Sequence, residues 1–159
     1  MLDQGRLLQF GPTLEVYHSP ATVRVGEVFS DPPMNLMSGI VDHNKTARIS
    51  SEATFALPEQ MRTLAPGEYR FGVRANHIGL ANGAPATLKV AATVELAEIS
   101  GSETFIHARH QNLLVVVRLE GVHSYQLGQE ISLSIDSRKL YTFDHSARLA
   151  AAPLGKGVA

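Results

Sequence analysis

Cysteine and tryptophan are both absent from the 159 residues, and aromatic residues of all kinds make up only 6%. Without cysteine the chain forms no disulfide and offers no thiolate to a metal, a composition that fits a reducing compartment. Scarce aromatics also disfavour a single-stranded nucleic-acid site, which needs stacking platforms in a basic groove. Tyr69, Phe71 and Phe105 stand where strand alternation predicts burial, so we expect them in a core.

A strong net charge and a long apolar run are missing as well. The net charge is −1, so no global field would gather nucleic acid or an anionic membrane. The longest apolar run, Leu113 to Val117, is strand-length, whereas a membrane helix needs roughly 18 residues. The start, "MLDQGRLLQF", lacks the features of a signal peptide. We therefore expect a cytoplasmic chain without nucleic-acid binding or direct membrane insertion.

Motifs for catalysis are also lacking. The chain has no "GxxxxGK[ST]" phosphate loop, no "GxGxxG" after a strand, no "HExxH" and no "GxSxG". His107 and His110 are an odd number of residues apart, which on a strand sends them to opposite faces and argues against shared metal ligation. We expect no catalytic residue, no metal site and no enzymatic activity in this chain.

The first thirty residues predict short elements. Arg6 to Phe10 is a strand candidate without an obvious local partner, and Gly11-Pro12 stops it. Thr13 is placed to cap a short helix that Pro20 ends, and a second helix is expected over Thr22 to Phe29.

After Pro32-Pro33 the pattern changes to strands separated by turns. Leu36 to Asp42 and Ala47 to Ser50 suit a hairpin. Alternation is clearest from Leu88 to Leu96, where Leu88, Val90, Ala92, Val94 and Leu96 are expected on the buried face. Further strands are predicted up to "KLYTFD". The pattern indicates an all-β fold, one or more small barrels of the OB-fold or MOP-like kind, with short helices near the N-terminus.

The junction "GRLLQFGPTLEVYHSPATVRVGEVFSDPPMN" resembles the one at which the ATPase domain of carbohydrate-type ABC importers, the maltose and glycerol-3-phosphate class, runs into its C-terminal accessory (TOBE, OB-like) domain. The positions that match the family pattern are Gly5, Arg6, Gln9, Gly11, Pro12, Glu15, Tyr17, Pro20, Phe29, Pro33, Met34 and Asn35. Later stretches, "YRFGVRANHIGL", "VELAEISGSETFIHA" and "LYTFD", resemble the family too. Ala75-Asn76 departs from it, since the family has Pro-Glu there.

This resemblance implies a division of the chain into residues 1–30, the end of an ATPase domain absent from this sequence, residues 31–149, the OB-like regulatory domain, and residues 150–159, a frayed tail. The orphan strand would then belong to a sheet of the ATPase domain. ATP and magnesium would bind only that missing domain, and this part of the chain would hold no cofactor. Pro32, Pro33, Met34 and Asn35 would form the hinge, with Met34 and Leu36 seated in the barrel.

The function implied is a non-catalytic regulatory and dimerisation domain of an importer of sugars, polyols or glycerol-3-phosphate. Its partners would be a second copy of the subunit, the permease subunits through the ATPase domain, and a regulatory protein, all at the cytoplasmic side of the inner membrane. Candidate interface residues are Arg74, His77, Glu95, Glu98, Gly101, Ser102 and Glu103, although Gly101 equally suits an ordinary tight turn. The alternative is an OB-like domain that senses a small ligand, an oxyanion or a sugar.

Overall fold

A computed structural model describes residues 2–80 and 88–155. The described part begins with two short paired strands and two helices, and most of the remaining elements are strands. In chain order the elements are β1 (Leu2–Asp3), β2 (Arg6–Leu7), α1 (Thr13–His18), α2 (Val23–Val28), β3 (Asn35–Val41), β4 (Thr46–Arg48), β5 (Thr54–Ala56), β6 (Gly67–Val73), β7 (Ile78–Leu80), β8 (Leu88–Ser100), β9 (Glu103–His110), β10 (Leu113–Glu120), β11 (Glu130–Ile135), β12 (Tyr141–Phe143) and β13 (Leu149–Ala151). No helix in this described part is long and apolar enough to cross a membrane.

Two antiparallel sheets contain all strands after α2. Six strands form one sheet, in the order β13-β12-β6-β3-β4-β5, and five form the other, in the order β10-β9-β8-β11-β7. The two sheets share one apolar core. Met37 and Phe71 of the six-stranded sheet belong to the same buried cluster as Val90, Ile106 and Leu133 of the five-stranded sheet. The predicted all-β, OB-like fold with short helices near the N-terminus is therefore confirmed.

The N-terminal strand has a local partner, so the prediction of an orphan strand at Arg6 to Phe10 is wrong. β2 pairs with β1 in a two-stranded hairpin, with Leu2 opposite Leu7. Gln4 and Gly5 at its turn both have positive φ, which lets two strands reverse within two residues. Phe10 lies outside the strand and is 91% exposed.

The two predicted helices are present, but their caps differ. Thr22 caps α2, and its hydroxyl accepts a hydrogen bond from Val25 N at 3.3 Å. In α1 the N-cap position belongs to Pro12, which makes no side-chain cap bond, so the capping role expected of Thr13 is wrong. Helix α2 packs through Val23 against Met34, Tyr141 and Phe143, a second apolar cluster at one end of the six-stranded sheet.

A β-bulge changes which side chains of β8 are buried. Leu88, Val90, Ala92 and Val94 are buried as predicted. At the bulge, the register against β9 shifts between Val94 and Leu96. An extra residue reverses the alternation that follows it. Leu96 is therefore 43% exposed, and its predicted burial is wrong.

The predicted tail begins too early. Leu149–Ala151 is a strand that pairs with β12, and Ala151 is buried, so the expectation of fraying at residues 150 and 151 is wrong. Backbone hydrogen bonds from β12 hold this segment in the sheet, a restraint that is not evident from its alanine-rich sequence. Residues 156–159 of the predicted tail lie outside the described residues.

Candidate functional site

The hinge residues connect α2 to the first strand of the barrel. The peptide bond between Asp31 and Pro32 is cis, and Pro33 leads directly into Met34. Met34 is only 4% exposed and lies in the second apolar cluster, with Leu36 partly buried beside it. The chain thus turns from the helices into the sheet at the buried side chain of Met34.

Asn35 joins the two sheets. Its side-chain amide nitrogen donates to the Val116 carbonyl at 2.8 Å, and its amide oxygen accepts from Val116 N at 2.8 Å. Val116 lies on β10, at an edge of the five-stranded sheet. One side chain therefore satisfies both backbone groups of an edge residue, as a neighbouring strand would.

Arg74 fastens the N-terminal helices to the barrel. Its guanidinium donates to the Tyr17 carbonyl at 2.7 Å, to the Phe29 carbonyl at 3.2 Å and to the Ser30 hydroxyl. The group also stacks on the Tyr17 ring, 3.8 Å from its centroid. Carbonyls at helix C-termini lack intrahelical partners and favour a cation. Arg74 is only 2% exposed, so its predicted place in an interface with another molecule is wrong.

His77 lines a groove of about 590 Å³ together with Glu103, Arg118 and Lys139. Its Nδ1 is buried and has no hydrogen-bond partner in the described part of the chain. Burial, with the nearby charges of Lys139 and Arg74, lowers the pKa of His77 below its ordinary value. The imidazole is therefore held neutral near pH 7.

The remaining candidate residues meet on the hairpin of β8 and β9. Gly101, with φ of +61°, makes the turn with Ser102. The three predicted carboxylates all face basic side chains of the same sheet: Glu95 binds Arg109, Glu103 binds Arg118, and Glu98 lies 3.8 Å from His107. Hydrogen bonding from Arg109 lowers the pKa of Glu95. Glu95 and Glu103 are thus already paired with arginines at the surface.

Between these ion pairs lies an apolar strip that sequence reasoning missed. We call the residues Leu96, Phe105, His107, Leu114 and Val116 the outer face. Phe105 is only partly buried there and does not belong to the core cluster, so its predicted place in the core is wrong. Cross-strand pairing puts His107 between Leu96 on β8 and Val116 on β10. Leu96 and Leu114 are 43% and 41% exposed. Leucines on an alternating strand predict a core, so the sequence contained no signal for this strip.

The histidine and carboxylate side chains of the described residues are spread over the fold. Within residues 2–80 and 88–155, no group of three or more His, Asp and Glu side chains is arranged to hold a metal ion. His107 and His110 lie on opposite faces of β9, as predicted: His107 is on the outer face, and His110 is buried, with Nδ1 2.7 Å from the Ala91 carbonyl.

Part of the barrel matches the sequence model of a known domain family. A sequence model described as the TOBE domain matches residues 71–143. Residues 71–143 of the chain are therefore similar to a TOBE domain. The match runs from β6 to β12 and includes the outer face and its ion pairs. The predicted relationship to the TOBE domain of importer ATP-binding subunits is thereby confirmed.

Curated relatives of this chain are named as ATP-binding proteins. A protein of Agrobacterium fabrum named sn-glycerol-3-phosphate import ATP-binding protein is 30% identical over 152 residues, covering 93% of this chain and 41% of that protein. A protein of the same name from Psychromonas ingrahamii is 31% identical over 154 residues, covering 91% and 39%. The chain therefore spans about two fifths of the length of the relatives it matches.

A solved structure shares the fold. The structure of the cytoplasmic molybdate-binding protein ModG superposes with a TM-score of 0.54 at 16% identity, covering 68% of this chain and 94% of that one. At this identity the likeness concerns the fold alone.

Proposed function

We propose that this chain is the non-catalytic accessory part of the ATP-binding subunit of an ABC importer for sugars, polyols or glycerol-3-phosphate, and that it holds two such subunits together. The TOBE domain and the names of the relatives support this assignment. The missing phosphate loop supports a fragment without ATPase activity of its own. ATP and magnesium would bind elsewhere in the full-length subunit.

The observation that carries the dimerisation role is the outer face. Leu96 on β8 and Leu114 on β10 expose apolar surface on either side of β9. Burying this surface against another molecule would be favourable. The ion pairs Glu95–Arg109 and Glu103–Arg118 lie around this strip. An apolar centre with a polar rim is the usual arrangement of a protein–protein interface.

A second copy of the chain is the occupant we propose. Two identical subunits can bring the same face together around a two-fold axis, and each rim ion pair is neutral, so no charge repulsion opposes this contact. In a transporter whose ATPase domains open and close, a contact outside the nucleotide site would keep the subunits at high effective concentration. Permease subunits would bind the ATPase domain, and a regulatory protein would bind the accessory part, at the cytoplasmic side of the membrane.

Cross-linking tests this arrangement directly, because the chain has no cysteine of its own. His107 lies in the middle strand of the outer face, so we expect His107→Cys to form a disulfide-linked dimer under mild oxidation. Leu96→Asp should raise the dimer dissociation constant, measured by sedimentation equilibrium, at least about tenfold, because it places a charge in an apolar contact.

Leu127 provides the matched control. It is 73% exposed in a turn outside the outer face. Leu127→Cys should form no more than trace dimer, and Leu127→Asp should leave the dissociation constant within about twofold. Equal cross-linking of His107→Cys and Leu127→Cys, or no effect of Leu96→Asp on association, would show that the outer face is not the contact.

A further inference from the structure

A second surface feature lies on the opposite sheet. The outward side of the six-stranded sheet is covered at one end by α2, through Val23, and is open at the other end. There β3 forms the floor of a groove of about 680 Å³, with Ile49 to Ser51 and Asp144-His145 among its lining. This size falls within the range of small-molecule sites in proteins.

Two arginines, Arg48 and Arg70, flank the floor of this groove. Arg48 on β4 stands opposite Ile40, and Arg70 on β6 stands opposite Ser38. Both are exposed, and neither takes part in an ion pair or a side-chain hydrogen bond within the described residues. By contrast, four other arginines are ion-paired, namely Arg24, Arg109, Arg118 and Arg138. Unpaired guanidinium groups in a concave surface favour bidentate binding of a carboxylate or phosphate.

The two carboxylates that line the groove, Glu68 and Asp144, form no ion pair with these arginines within the described residues. Asp144 accepts hydrogen bonds from Arg148 N and Ser146 N, at 3.1 and 2.8 Å, within its own turn. Glu68 lies two residues from Arg70 on the same face of β6 and is exposed. It remains able to accept a hydrogen bond from a ligand hydroxyl.

We propose that this groove binds a small, hydroxylated organic anion with two acidic groups, one at Arg48 and one at Arg70. The two residues lie on the strands either side of β3 and are offset by two residues along them, which places their Cα atoms roughly 12 Å apart and favours two separate acidic groups over one. Ile40, which is 47% exposed and stands directly opposite Arg48 on the floor of the groove, would contact the carbon skeleton. The groove would thus be the site at which the domain senses a small ligand, the alternative function, and it is separate from the outer face.

Calorimetric titration of the chain tests the proposal at physiological salt. The probes are citrate, which carries carboxylates, and fructose 1,6-bisphosphate, which carries phosphates, so the two sources of acidic groups are distinguished. We expect at least one of them to bind more tightly than about 1 mM. Arg48→Gln and Arg70→Gln should each weaken that binding about tenfold to a hundredfold, the usual effect of removing a charge-assisted hydrogen bond.

Arg62 serves as the control, because it is exposed and does not line the groove. Arg62→Gln should leave the affinity within about twofold, and unchanged melting temperatures would show that all three variants fold. The proposal is overturned if neither anion binds, if Arg62→Gln weakens binding as much as the groove variants do, or if neutral glucose binds as tightly as the anions.

Discussion

Asn35 offers the sharpest test of how the two sheets are held together. It is 6% exposed and makes two hydrogen bonds of 2.8 Å to the backbone of Val116, 81 residues away. Asn35→Ala removes both bonds while leaving β3 with a residue that strands accept. The backbone N–H and C=O of Val116 would then lack their partner at the edge of β10.

The expected cost follows from these two contacts. A hydrogen bond contributes about 1 kcal/mol net, and a buried group left unsatisfied costs about 1–3 kcal/mol. Because Val116 is only partly buried, water can replace some of the loss, and we expect destabilisation of about 2–4 kcal/mol. A domain of this size loses about 2–4 °C in Tm for each kcal/mol, so Tm should fall by roughly 4–16 °C.

Urea unfolding and amide hydrogen exchange together measure this effect. Asn35→Ala should lower the free energy of unfolding and should also speed exchange at Val116 N far more than at the core strand residue Ile106. Asn35→Asp should be at least as damaging, since a carboxylate cannot donate to the Val116 carbonyl. Asn44→Ala, in an exposed turn, is the control. A change of less than about 0.5 kcal/mol for Asn35→Ala, equal to that of the control, would refute the reasoning.

Two further predictions concern the core and pH. Val94→Asp should unfold the barrel, because Val94 is 1% exposed and a buried carboxylate costs several kcal/mol. Thr93 is exposed, so Thr93→Asp should be tolerated. Equal melting temperatures for the two variants would disprove the assignment of buried and exposed faces. The pKa of His77 lies below its ordinary 6.5 because of burial and the charges of Lys139 and Arg74. The unfolded chain therefore binds a proton at His77 more readily than the folded chain does. The free energy of unfolding should consequently fall as pH drops below about 6.5, and it should fall less in His77→Gln. Urea midpoints that stay the same from about pH 7.5 to about pH 5 in both proteins would contradict this.

The fold class and most strand positions could be predicted from the sequence alone. Alternation of Leu88, Val90, Ala92 and Val94 reports burial on one face, because side chains of a strand point alternately to its two sides. That reasoning stops at the bulge: the register shift after Val94 turns Leu96 outward, and nothing in "TVELAEI" marks the shift. The exposed strip of the outer face was therefore hidden in a pattern that predicts a core.

Local turn chemistry and strand periodicity act between residues close in sequence, so the chain by itself determined its β-rich elements, the two short helices and the apolar anchor at Met34. The tertiary structure decided what distant residues do to one another. It placed Asn35 against Val116, Arg74 against Tyr17 and Phe29, and two arginines, Arg48 and Arg70, on either side of β3. Such pairings depend on strand register and helix docking, which are set by the packing of the whole molecule and leave no periodic signal in the sequence.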